Sequence, residues 1–322
     1  MSSSVVARLQ PGLFAMPLGT LGLAGAWRRV AAFDGPQAPA HGVADALLWL
    51  GLALLALLLA LWAVRLVRHG ALIRAEWDHP VQAALSALLP VSVLLAVALV
   101  VPRWEGWQAL AWPLALASLA MMGVLAWRVV ARLSTGRIPP ELVTPALYVP
   151  TVAGGLVGAL ALSALGQAGW AALLFGMGLS AWALLEMRVL NRLFDGPLPP
   201  PLRPTLGVEM APAAVGTLAL ATLWPLMPAE ALVVCLGIAS GPILAVLTRW
   251  RYWSAVPFSA GFWSFSFPIA AMAAAIPETV RRGGWPPEVA WIAVALASML
   301  IAYLALRTLV LLAQGRLLPA PA

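Results

Sequence analysis

The sequence predicts an all-α integral membrane protein of ten transmembrane helices, and three observations carry that prediction. Hydrophobic residues fill 62% of the 322 positions and charged residues only 10%, with a mean hydropathy of +0.93, outside the range of water-soluble domains. Ten segments are long enough to cross a hydrocarbon core of about 30 Å at about 1.5 Å per residue. Every second segment carries a proline inside its apolar run, at positions 17, 90, 150, 212 and 268.

The spans follow in order. The first, near residues 10–32, holds Pro17 in LFAMPLGTLGLAGAW, and its N-terminal MSSSVVARLQ has no cleavable apolar region of its own, so this span is expected to remain in the mature protein. The second, 43–68, has no proline. The third, 80–101, holds Pro90 in AALSALLPVSVLLAV, and the fourth, 106–132, holds Pro113. The fifth, 144–165, centres on Pro150 in ALYVPTVAGGLVGAL; the sixth, 168–190, has no proline. The seventh, 204–226, carries Pro212 in GVEMAPAAVGTLALA, and the eighth, 229–249, carries Pro242. The ninth, 258–278, holds Pro268 in FWSFSFPIAAMAAAI, and the tenth, 286–313, has none. Connections are short, so consecutive spans are expected to pack as antiparallel hairpins: five hairpins in a single domain, 1–322.

The prolines of the odd-numbered spans recur every 56 to 73 residues, which is a repeat. A proline in a helix interior removes a donor and clashes with the preceding turn, at about 3 kcal/mol in water. In a bilayer only protein or trapped water satisfies the carbonyl it frees. Five such kinks point to helices gathered around a shared wet axis. The freed carbonyls, near Leu13, Ser86, Ala146, Val208 and Ser264, carry the wrong sign to attract anions.

All nineteen basic residues are arginine. Fourteen fall on one side of the predicted membrane, and Arg28, Arg29, Arg103, Arg281 and Arg282 fall on the other. The bias of cytoplasmic loops toward positive charge therefore predicts a multi-pass plasma (inner) membrane protein with both termini in the cytoplasm. The formal charge of +7 is mostly this orientation signal and implies no nucleic-acid partner. Tryptophans at span ends fit the same frame, Trp27, Trp104, Trp107, Trp224 and Trp285 on the outer belt and Trp77, Trp127, Trp250 and Trp253 on the inner.

Catalytic groupings are scarce. Cys235 is a lone cysteine and reads as a small core residue, while His41, His69 and His79 lack metal-ligand spacing. No nucleophile motif, phosphate loop or dinucleotide fingerprint is present, so the expectation is a non-enzyme without a cofactor or metal. His79, in RAEWDHP with Arg74, Glu76 and Asp78, reads as part of a satisfied polar cluster at a helix entrance, with proton sensing as the lesser reading. Glu209 is the one acid well inside a span. It stands either on a pore wall, titrating or repelling anions, or as a protonated or arginine-paired carboxyl near the cytoplasmic mouth, with Arg203 about two turns away. In GFWSFSFPIAAM, Phe267 directly precedes Pro268, where an aromatic ring facing a narrow axis would plug it; the plain alternative is packing for Phe262, Phe265 and Phe267 alike. Ser264 and Ser266 either re-satisfy backbone groups loosened by Pro268 or line a wet path.

The stretches PGLFAMPLG, RAEWDHPVQAALSALLP, PALYVPTVAG, LRPTLGVEMAPAAVG and FWSFSFP, in that order across nearly the whole chain, resemble the TehA family of bacterial tellurite-resistance proteins, relatives of the plant guard-cell slow anion channels. The resemblance implies a homotrimer. Each protomer would have ten helices folded as five hairpins in quasi-five-fold arrangement, with kinked inner helices around a central pore. It also places a pore-blocking phenylalanine at Phe267. Its members conduct or transport small anions, and some carry a dicarboxylate-transporter label. Relatives tend to have a neutral residue where this chain has Glu209. The leading expectation is passive conduction of small anions, with arginines at the mouths concentrating ions. The alternative is a proton-coupled transporter of dicarboxylates, sulfite or related oxyanions, with Glu209 or His79 carrying the proton.

Overall fold

The computed structural model describes residues 5–318, and every regular element among them is helical. A 3-10 turn, Pro11–Phe14, leads into α1 (Ala15–Ala31). The chain returns along α2 (Pro39–Asp78), 40 residues long and so extending well past the predicted second span. Non-helical dihedrals at His69 interrupt it. The Arg65 guanidinium meets Glu76 at 2.6 Å, although a straight helix would hold positions this far apart about 16 Å from each other, so the helix bends at that break and brings the two long side chains together.

Next come α3 (Pro80–Leu85), α4 (Leu88–Val100) and α5 (Gln108–Ser134). A π-helical turn, Val149–Ala153, opens α6 (Gly154–Ala164), which is followed by α7 (Ala168–Phe194). A 3-10 turn, Pro200–Thr205, precedes α8 (Leu206–Glu209) and α9 (Ala211–Leu223). The chain continues with α10 (Ala229–Thr248), the short α11 (Trp250–Trp253), a 3-10 turn Ala260–Phe265, α12 (Ser266–Gly283) and α13 (Pro287–Ala313). Among the described residues nine helical stretches are long and apolar enough to cross a membrane. The remaining helix, α1, has 17 residues and is lengthened by the turn before it.

The five repeated prolines sit in opening turns. Pro17, Pro90, Pro212 and Pro268 fall within the first three residues of α1, α4, α9 and α12, and Pro150 is the second residue of the π-helical turn. The first N–H groups of a helix have no intrahelical acceptor, so a proline there sacrifices nothing. The interior penalty expected from the sequence is therefore avoided: in each of these spans a new helical run begins one or two residues before the proline. Pro113, Pro242 and Pro277 do lie inside helices.

Burial alternates along the chain. In the helical stretches 80–100, 145–164, 200–223 and 260–283, 72–83% of the most apolar part is buried, against 17–28% in α2, α5, α7, α10 and α13. Most of α1 is buried as well. The outer helices expose Leu57, Leu184, Leu244 and Leu296 by more than half, a surface that suits lipid and not water. Each inner helix packs on the outer helix that follows it, α1 on α2, α4 on α5, α6 on α7, α9 on α10 and α12 on α13. The inner helices also touch in a closed cycle, α1 to α4, α4 to α6, α6 to α9, α9 to α12 and α12 back to α1. Cys235, expected in the core, is half-buried on outer helix α10.

Candidate functional site

A cavity of about 550 Å³ lies among the proline-bearing segments and takes its walls from all five. Ala15 and Leu18 come from α1, Leu88 and Val91 from α4, Val149 and Ala153 from the π-helical turn, Val208 and Ala211 from α8 and α9, and Ser264, Phe267 and Pro268 from the last of the five. Gln10, Gln82, Thr205 and Arg316 also border it. A second cleft, of about 750 Å³, is bordered by α10, α12, α13 and the segment between α11 and α12, so it lies outside the inner cycle.

Phe267 is 5% exposed and reaches the cavity from the first turn of α12. Two glycines of α1 admit that turn. A Cβ at Gly22 would lie 3.0 Å from Phe267 Cδ2, and a Cβ at Gly19 would lie 2.0 Å from Ser266 Oγ and 2.5 Å from its Cβ. Gly19→Ala is accordingly expected to push α12 away from α1 and cost about 1–3 kcal/mol, read as a lower thermal unfolding midpoint in detergent. An unchanged midpoint would mean that this contact yields without strain.

Hydroxyl groups serve the interrupted backbone. Ser266 Oγ donates to Trp263 O at 2.6 Å and is fully buried away from the cavity, whereas Ser264 Oγ donates to Pro204 O at 2.5 Å while lining it. Thr151 Oγ1 donates to Leu147 O at 3.1 Å and Ser86 Oγ to Gln82 O at 2.9 Å. Ser92 Oγ lies 2.7 Å from Leu88 O and 3.0 Å from Phe14 O, sharing one proton between α4 and the turn before α1. Ser92 and Ser264 thereby give the carbonyls of Phe14 and Pro204, on other segments, a donor that the bilayer does not supply, while Ser86 and Ser266 add a second donor to carbonyls that already accept a backbone N–H.

Glu209 is 4% exposed and both its carboxylate oxygens accept from Arg249 Nη2, at 3.0 and 3.1 Å. Its neighbours Val208 and Ala211 line the cavity, while its own side chain is turned to α10. Arg203, the partner suggested by nearness in sequence, instead stacks 4.5 Å over the Tyr252 ring and donates to Leu198 O. At the entrance to α3, His79 Nδ1 accepts from the Gln82 N–H at 3.4 Å, Asp78 meets Arg128 and Arg132, and Glu76 meets Arg65. One grouping had drawn no notice in the sequence: Glu186 on α7 accepts from Tyr148 Oη at 2.7 Å and Trp182 Nε1 at 2.8 Å, and only the four-residue spacing of Trp182 and Glu186 announces it.

A family model described as voltage-dependent anion channel matches residues 8–312. A curated relative, the tellurite resistance protein TehA homolog of Haemophilus influenzae, is 26% identical over 314 residues, covering 96% of this chain and 92% of its own.

Proposed function

We propose, because this chain belongs to the voltage-dependent anion channel family, that it conducts small anions passively through a conduit inside each protomer, with the Phe267 ring as the plug. The observation that supports this most is the cavity walled by all five inner segments, with Phe267 in its wall. Its apolar lining would hold an ion weakly enough to release it, and a ring in an apolar constriction excludes the water an ion needs. We assign no enzymatic activity.

In this reading the five hairpins stand in quasi-five-fold arrangement, and the cyclic contacts of α1, α4, α6, α9 and α12 are its support. The multi-pass chain sits in the inner membrane with its termini in the cytoplasm, following the arginine bias, and three copies assemble as a homotrimer. Native mass measurement of the purified protein reads the last point directly.

Glu209 takes no part in selection here, since Arg249 neutralises it away from the axis. Glu209→Gln is expected to leave the relative permeability of chloride and nitrate unchanged, whereas an increase in conductance would put the carboxylate on the ion path. The proton-coupled alternative is separated by flux against a pH gradient: passive conduction follows the electrochemical gradient of the anion alone, and uphill movement driven by protons would contradict it.

A further inference from the structure

Three cavity-lining positions lead along their helices to a polar cluster at the opposite end. Leu18, Ala211 and Phe267 line the cavity, and eleven residues beyond them stand Arg29, Thr222 and Glu278. That interval is just over three turns, about 20° out of register and about 16 Å along the axis, so the three residues occupy the same helix faces at a common level. The positions between are apolar, Gly22 and Ala26 on α1, Val215 and Leu218 on α9, Ala271 and Ala274 on α12.

At that level the three side chains meet. Arg29 Nη1 donates to Glu278 Oε1 at 2.9 Å and Arg29 Nη2 to Thr222 Oγ1 at 2.8 Å. α1 and α9 both flank α12 in the inner cycle, so this one guanidinium links helices that stand on either side of it. Glu278 Oε2 also accepts from Arg281 at 2.6 Å and Arg282 at 3.3 Å, and Arg282 Nη2 is held by Ala221 O at 2.7 Å. One carboxylate thus faces three guanidinium groups, with Glu278 and Arg282 17% and 10% exposed. Multiple N–H donors around an oxyanion are the arrangement by which arginines coordinate carboxylate and phosphate groups, and planar nitrate presents the same pair of oxygens as a carboxylate.

We propose that this cluster is an anion-coordination site at the far mouth of the conduit, filled in this conformation by the chain's own Glu278 carboxylate, and that a permeating anion enters by exchanging with it. The proposal rests on the conduit reading above. It assigns Arg29, Thr222 and Arg282 as ion ligands and Glu278 as the tethered competitor. A neighbouring pairing at the same end serves as a control: Asp45 binds Arg28 and Arg103 at 3.1 and 2.9 Å, and Arg28 is one position off the cavity face of α1.

The test uses purified full-length protein. Its thermal unfolding midpoint in detergent is followed as nitrate replaces a large organic anion at constant ionic strength, because a ligand that binds only the folded state raises that midpoint in proportion to the logarithm of its concentration once that exceeds the dissociation constant. Glu278→Gln, which vacates the charge while keeping the shape, is expected to show a midpoint that climbs with the logarithm of nitrate concentration; over the same range the unsubstituted protein and Asp45→Asn, in which the tethered carboxylate outcompetes nitrate, and the double variant Arg29→Gln with Glu278→Gln stay flat. Should Glu278→Gln not fold, Glu278→Asp retains the charge on a shorter arm and is expected to respond at higher nitrate concentration. In a Phe267→Ala background, Glu278→Gln is further expected to raise nitrate current severalfold. A flat titration for Glu278→Gln or Glu278→Asp overturns the site. Absence of current in Phe267→Ala would instead count against the conduit, and the titration would still decide the site.

Discussion

Phe267→Ala is expected to raise anion current through purified protein in planar bilayers by about an order of magnitude or more. The ring stands in the first turn of α12, borders the cavity and rests against Gly22 of α1. Removing it takes away an apolar surface at which an ion would have to shed its water, and joins the cavity to the small-residue faces beyond. The substitution also removes packing, so the variant's elution as a monodisperse species has to accompany the current measurement. A well-folded variant with unchanged current would assign the ring to packing alone, a role like that of Phe262 and Phe265, whose rings stack on each other at 6.2 Å.

The second large effect concerns stability. Arg249→Ala leaves the Glu209 carboxylate, 4% exposed, without its cation. Stranding a buried charge is far more damaging than removing a pair together, and after allowance for the 36% exposure of Arg249 the expected loss is about 2–3 kcal/mol. It would be read as a lower thermal midpoint and reduced yield. Adding Glu209→Gln to Arg249→Ala is expected to restore most of the loss, because the stranded charge is then gone. Equal destabilisation in single and double variants would mean that the arginine matters through packing and not through its partner.

The class of this protein was legible in composition, because a chain that must bury or face lipid with nearly every side chain has few charges to place. The alternation of inner and outer helices was legible too, through Pro17, Pro90, Pro150, Pro212 and Pro268. What the prolines do locally was not, since a residue that ends one helical run and one that begins the next look alike in sequence. The 3-10 and π-helical turns before them decide it, and those turns are held by hydroxyls such as Ser92 and Ser264 from other segments. Glu209 shows the same limit. Its depth in the seventh span was plain, but its partner lies 40 residues on, at the end of α10, while the nearer Arg203 turns to Tyr252. Arg29 and Glu278 were hidden further. Arg29 read as an orientation signal and Glu278 as the last residue of a span, and only the packing of α1 beside α12 brings positions 249 residues apart into contact.

The zero-current voltage of Phe267→Ala in a planar bilayer, taken under an anion gradient and then under a superimposed pH gradient, addresses the conduit most directly. Passive anion conduction requires a voltage near the equilibrium potential of the anion, unmoved by pH. A voltage that follows the cation, or one that shifts with the proton gradient, would contradict the account.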